Sequence, residues 1–239
     1  MSLLLLVRHG QASFLTDNYD RLSELGQKQA RLLGEFWCDQ SLKLDAIYAG
    51  ELKRQIDSAE IVREVYAERG LPCPPLQRLP ELNEYQAEEF LYNHLHELRE
   101  IDPALDREYQ AFKEATEKQD RYRTYQRMFE TAMRHWLGGA IQMERVESWK
   151  DFVARVESAI GQMTSPAGSG SHIAAFTSGG PIGVGMQYAL NTTAETTLQL
   201  SWMVRNASLT TFLFTQGKFT LSSFNEIPHL QDRTLWSYR

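Results

Sequence analysis

The chain is poor in cysteine, in long apolar runs and in net positive charge, and each shortage removes a class of function. Its two cysteines, Cys38 and Cys73, stand far apart with neither metal-ligand spacing nor a disulfide pattern, so they read as buried free thiols without a redox role. No apolar run is long enough to span a bilayer, and the one at residues 3–7 has no basic segment before it. A soluble, cytoplasmic protein with no membrane partner is therefore expected. The formal net charge of -6 speaks against a nucleic-acid partner, so any anion site must be a local concentration of positive charge. Repeats and low-complexity segments are missing too. What remains is ordinary globular material: 239 residues, 42% hydrophobic and 23% charged, enough for one substantial core carrying an insertion.

Within that material one spot is chemically dense. The apolar run at residues 3–7 reads as a buried strand, and it delivers Arg8, His9 and Gly10 at its carboxyl end. Ligands of open α/β sheets bind just beyond the carboxyl ends of the strands. Arginine brings a permanent charge and a donor fork, and histidine a nucleophilic nitrogen.

The rest of the chain supplies the frame for such a site. Ser23 is a candidate N-cap for a helix with apolar positions Leu25, Leu32, Leu33, Phe36 and Trp37. A second strand at 44–49, a helix at 51–68 and a proline-rich turn at 72–75 follow, the rhythm of a parallel sheet. From 85 to about 145 the sequence turns to long, charged, aromatic-rich helices broken at Asp102-Pro103 and near Gly138-Gly139; a helical insertion, or cap, is expected there. A core-facing helix around Trp149 to Ile160 leads to a third apolar strand at 172–177, followed by Ser178-Gly179-Gly180-Pro181. Pro181 is expected at the first helical position, with the two glycines forming a concavity of outward-facing amides. Two apolar stretches flanking Gln216-Gly217 read as a hairpin adding antiparallel strands. The fold class is thus α/β: a three-layer α/β/α sandwich on a mostly parallel sheet with an antiparallel edge, plus the helical insertion, all in one domain over 1–239.

Arg8, His9, Arg54 near the start of the second helix, and the Ser178-Gly179-Gly180 turn converge at one sheet edge in such a fold. Taken alone, Arg54 reads as a solvated helix arginine; it becomes a candidate only through the residues that converge with it. Phosphoryl transfer needs positive charge about a dianion, an in-line nucleophile and a proton for the leaving oxygen. His9 is the candidate nucleophile, and Arg8 and Arg54 are the candidate clamps.

The ordered motifs resemble the histidine phosphatase superfamily, also called the phosphoglycerate mutase-like family, over nearly the whole chain. They are the Arg8-His9-Gly10-Gln11 start, Leu22-Ser23-Glu24-Leu25-Gly26 with Gln29-Ala30, Asp45-Ala46-Ile47-Tyr48 leading to Leu52-Lys53-Arg54 and Ser58-Ala59, and the late Gly-Gly turn. The resemblance implies that His9 accepts the phosphoryl group and that Arg8 and Arg54 bind phosphate, with Ser178 and Gly179 beside them. It also places an acidic proton donor within 79–85, where Glu84 is the first candidate and Glu81 the second. No metal ion or other cofactor is implied, and the partner is a small phosphorylated substrate; substrate identity and oligomeric state are not legible.

Three departures from that pattern stand out. Ser178 stands where a second histidine is usual, exchanging a charged donor for a neutral one. Ala49-Gly50 replaces common serines, and Leu15 an asparagine that often lines the pocket. His172 is no substitute, since it sits at the other end of its strand. A hydrogen bond to a charged group is worth about 1.5–3 kcal/mol, so losing half of one slows the reaction by up to about an order of magnitude and leaves activity in place. A serine hydrolase is excluded because a nucleophile elbow requires glycine where Phe176 stands. The expectation is a phosphomonoester phosphatase working through a phosphohistidine on His9. The alternative is a non-catalytic phospholigand-binding module, and a mutase is disfavoured because the insertion carries no feature that points to one.

Overall fold

A computed structural model describes residues 1–13, 20–139 and 146–238. Position Leu15 and residues 140–145 at the expected end of the insertion lie outside the described residues. In chain order the elements are β1 (Ser2–Arg8), α1 (Glu24–Asp39), β2 (Ala46–Ala49), α2 (Lys53–Glu68), β3 (Leu76–Arg78), a 3-10 turn at Pro80–Leu82, α3 (Ala87–Ile101), α4 (Pro103–Glu114), α5 (Lys118–Gly138), α6 (Trp149–Thr164), β4 (His172–Thr177), α7 (Gly179–Leu190), α8 (Ala194–Met203), β5 (Leu209–Thr215) and β6 (Lys218–Glu226). They fall into two compact units, one of Met1–Glu84 with Val153–Arg239 and one of Tyr85–Phe152.

The first unit is the α/β sandwich. Its six strands run in the order β3-β2-β4-β1-β5-β6, parallel from β3 to β1 and antiparallel at β5 and β6. β1 reads as a continuous apolar run because both of its faces are covered. Leu5 and Val7 join Leu33 and Trp37 of α1 and Val62 of α2 in one core layer, while Leu6 and Phe212 lie against Gly185 of α7 on the other face. Ser23 caps α1 by accepting from the Gly26 amide. The parallel register sets Arg8 beside Thr177, so the residues that follow β1 and β4 emerge side by side at the centre of the sheet.

Three features differ from the sequence reading. α7 starts at Gly179, so Pro181 is its third residue; a proline is tolerated there because amides of the first turn have no intrahelical partner. α8 and the short β3 were not foreseen. Cys38 is buried as expected, but Cys73 is half-buried; both are free thiols.

The second unit is helical. Asp102 ends α3 and caps α4 by accepting from the Ala104 and Leu105 amides, with Pro103 as the first helical residue. α5 ends on Gly139 in the left-handed conformation, φ 63°. The stripe of α5 is core: Phe129, Ala132, Met133 and Trp136 are buried, and the Trp136 ring stacks on Tyr85 at 4.9 Å.

Candidate active site

The residues singled out in the sequence gather at the carboxyl ends of β1, β2 and β4 within the first unit. The turn after β1 is tight because Gly10 lies against the first turn of α1: a Cβ on Gly10 falls 2.3 Å from the Gly26 carbonyl oxygen. The Gly10 amide donates to Ser58 Oγ at 3.0 Å, and that hydroxyl donates to the Arg54 carbonyl at 2.8 Å, tying the turn to α2.

His9 is 3% exposed. Its Nδ1 lies 2.7 Å from the Gly10 carbonyl oxygen, which can only accept, so Nδ1 carries the proton. Nε2 is then a lone-pair nitrogen, and it accepts from Arg54 Nε at 3.2 Å. Burial, followed by the charges of Arg54 and Arg8, holds the imidazole pKa well below its usual value. The ring is therefore neutral and nucleophilic at Nε2 although it sits among cations.

Arg54 is buried and reaches Asp20 Oδ1 through Nη1 at 2.7 Å. The same carboxylate accepts from the Lys53 amide at 2.8 Å, so Asp20 serves both the guanidinium and the start of α2. Arg8 donates from Nη1 to the Val204 carbonyl at the end of α8. Behind the turn, the His9 carbonyl accepts from Ala207 N and Asn206 Nδ2, and Asn206 is held by Ser237.

The two candidate acids have different surroundings. Glu84 accepts from the Gly180 amide with both carboxylate oxygens, at 3.0 and 3.2 Å, and so lies at the amino end of α7 beside Gly179. Glu81 reaches Gln162 of α6 at 3.4 Å. The loop that carries both is pinned by Arg155, whose guanidinium donates to the carbonyls of Glu81, Asn83 and Glu84. Gly180 thus spends its amide on Glu84 and does not form part of an open concavity.

Ser178 is fully buried and accepts from Gln55 Nε2 at 2.8 Å. Gln55 directly follows Arg54, so consecutive residues of α2 reach Ser178 and His9. Sequence reading missed Asp20, Gln55, Arg155 and Asn206. None of the four has a local signature; even Asp20 serves not the helix that follows it, which Ser23 caps, but the start of α2.

The family model described as the histidine phosphatase superfamily (branch 1) matches residues 4–124 and 114–227. The chain belongs to this superfamily. A solved structure of Bacillus stearothermophilus YhfR is similar over 97% of this chain and 100% of that one, with a TM-score of 0.66 and 20% identity. The alpha-ribazole phosphatase from Shigella flexneri covers 94% and is itself covered over 96%, with a TM-score of 0.61 and 21% identity. At these identities the likeness is one of fold. A phosphoglycerate mutase from Candida albicans is 33% identical over 87 residues, 34% of this chain; the chain spans about a third of the length of this curated relative. Among superfamily members, then, this chain carries a buried, neutral Ser178–Gln55 pair where the resemblance calls for a histidine.

Proposed function

We propose that the protein is a phosphatase that hydrolyses a small phosphomonoester through a phosphohistidine on His9. The observation that carries this reading is the buried, neutral His9 with its Nε2 lone pair held against Arg54 and Arg8 close by. In the first step Nε2 attacks phosphorus and the P–O bond to the alcohol breaks. Arg8 and Arg54 bind the phosphoryl oxygens and neutralise their charge, while the Ser178 hydroxyl and the amino end of α7 at Gly179 add neutral donors. Glu84 gives its proton to the departing oxygen. In the second step water attacks the phosphohistidine, returning its proton to Glu84 and releasing inorganic phosphate. Glu84 is preferred over Glu81 because it lies beside Gly179 and Gly180. The phosphatase among the solved structures of the same fold supports hydrolysis as the reaction class, and the Candida relative keeps phosphoryl transfer by a mutase as the second reading.

The test is rapid quenching with a 32P-labelled aryl phosphate. Acid-labile, base-stable label is expected on His9, and His9→Ala is expected to reduce turnover by at least about a thousandfold. Label on another residue, or full activity in His9→Ala, overturns the mechanism. Phosphate binding without turnover identifies a phospholigand-binding module instead.

A further inference from the structure

The departures at positions 50 and 178 meet at Gln55. Gln55 is fully buried, and its Nε2 donates to the Leu82 carbonyl at 3.2 Å as well as to Ser178 Oγ at 2.8 Å. The Leu82 oxygen can only accept, which fixes the orientation of the amide: nitrogen faces Leu82 and Ser178. Ser178 Oγ is consequently the acceptor, and its own proton has no acceptor among the described residues. The amide oxygen points the other way, towards Gly50, where a Cβ falls 2.0 Å from Gln55 Oε1 and 2.7 Å from Asn83 Oδ1. Oε1 has no hydrogen-bond partner among the described residues. A serine at position 50 therefore meets the amide end of Gln55 and displaces it, and the same amide lies against Ser178, on the side from which it donates.

We infer that Gln55 is a positioning residue that presents the Ser178 hydroxyl, as a neutral donor, to a phosphoryl oxygen, and that Gly50, Gln55 and Ser178 form one interlocked unit in place of a second histidine. The inference rests on the reading of the site as a phosphate site. Gln55 touches no substrate; it occupies the lone pair of Ser178 and leaves the O–H to point at the ligand. The donor so formed does not titrate near neutrality, whereas a histidine in its place does.

The test uses the full chain, p-nitrophenyl phosphate for turnover and inorganic phosphate for binding. Gln55→Met keeps the volume and removes the hydrogen bond. It is expected to lower kcat/KM and weaken phosphate binding by about fivefold to tenfold, as Ser178→Ala does, and the double variant is expected to match Ser178→Ala within about twofold. Ser178→His alone is expected to gain nothing. In a Gln55→Ala background the same histidine is expected to raise turnover about tenfold over Gln55→Ala alone and to add a pH-dependent limb near neutrality, which a merely structural role for Gln55 does not produce. If Ser178→His does not fold, the Gln55→Met and Ser178→Ala pair decides. Full activity in Gln55→Met, losses that multiply in the double variant, or an equal gain from Ser178→His without Gln55→Ala overturns the inference. Turnover by the wild type with any of those results leaves the phosphatase reading standing. Phosphate binding with the expected coupling but no turnover sinks that reading and keeps the inference, and absence of both sinks both.

Discussion

At the scale of single residues, the chemistry depends on which nitrogen of His9 carries the proton. The Gly10 carbonyl assigns it to Nδ1, and burial with two arginines keeps the ring neutral below the range where free histidine titrates. In 15N-edited spectra Nε2 is therefore expected to keep the shift of an unprotonated nitrogen as pH falls through 6.5, with Nδ1 protonated throughout. A His9 midpoint at or above 6.5 contradicts the assignment. His9, Arg8 and Arg54 were legible in the sequence because they sit next to strand ends or helix starts, where position in the chain predicts position in the fold. Gln55 was not, because nothing near it in the sequence announces its partner, which is 123 residues away. Ser178 itself was legible as a departure from the pattern, but its hydrogen-bond partner was not.

At the scale of elements, α2 carries the burden of the site, since Arg54 and Gln55 occupy its first turn. Its N-cap residue, Leu52, has no side chain able to cap, and Asp20 from outside the helix supplies the acceptor for the Lys53 amide. Asp20→Ala, which removes both the cap and the ion partner of Arg54, is expected to cost about 1–2 kcal/mol of stability in urea denaturation, and Asp20→Asn less, because it keeps an acceptor for the Lys53 amide and loses only the charge. Equal losses in the two variants, or none in either, show that the cap does not hold α2. The sequence revealed β4 with its ends in place, because a run buried on both faces has sharp boundaries. β3 went unread as three residues behind a proline-rich turn, and α8 because its threonines and scattered apolar residues form no clear stripe.

At the scale of the whole molecule, stability is tied to pH through buried histidines that must stay neutral. His229 lies near Phe36, and among the described residues neither of its ring nitrogens has a partner. Burial pushes its pKa down from 6.5 to about 4. The unfolded chain therefore takes up a proton that the folded one refuses, so stability is fully present above pH 6.5 and drains away as pH falls towards 4. From His229 alone the loss at pH 5 is about 2 kcal/mol. His229→Phe is expected to lose that much less stability than the wild type between pH 7.5 and 5 in urea titrations; identical losses reject the argument. A different consequence follows from the place of β1 in the sheet. Leu3 pairs with His172 and Leu213, so β1 is synthesised 169 and 210 residues ahead of its two partners in the sheet. At about 5–20 residues per second, this apolar ribbon waits roughly 10 to 30 s before the first of those partners exists, and an uncovered strand edge of that kind is open to wrong pairing during synthesis.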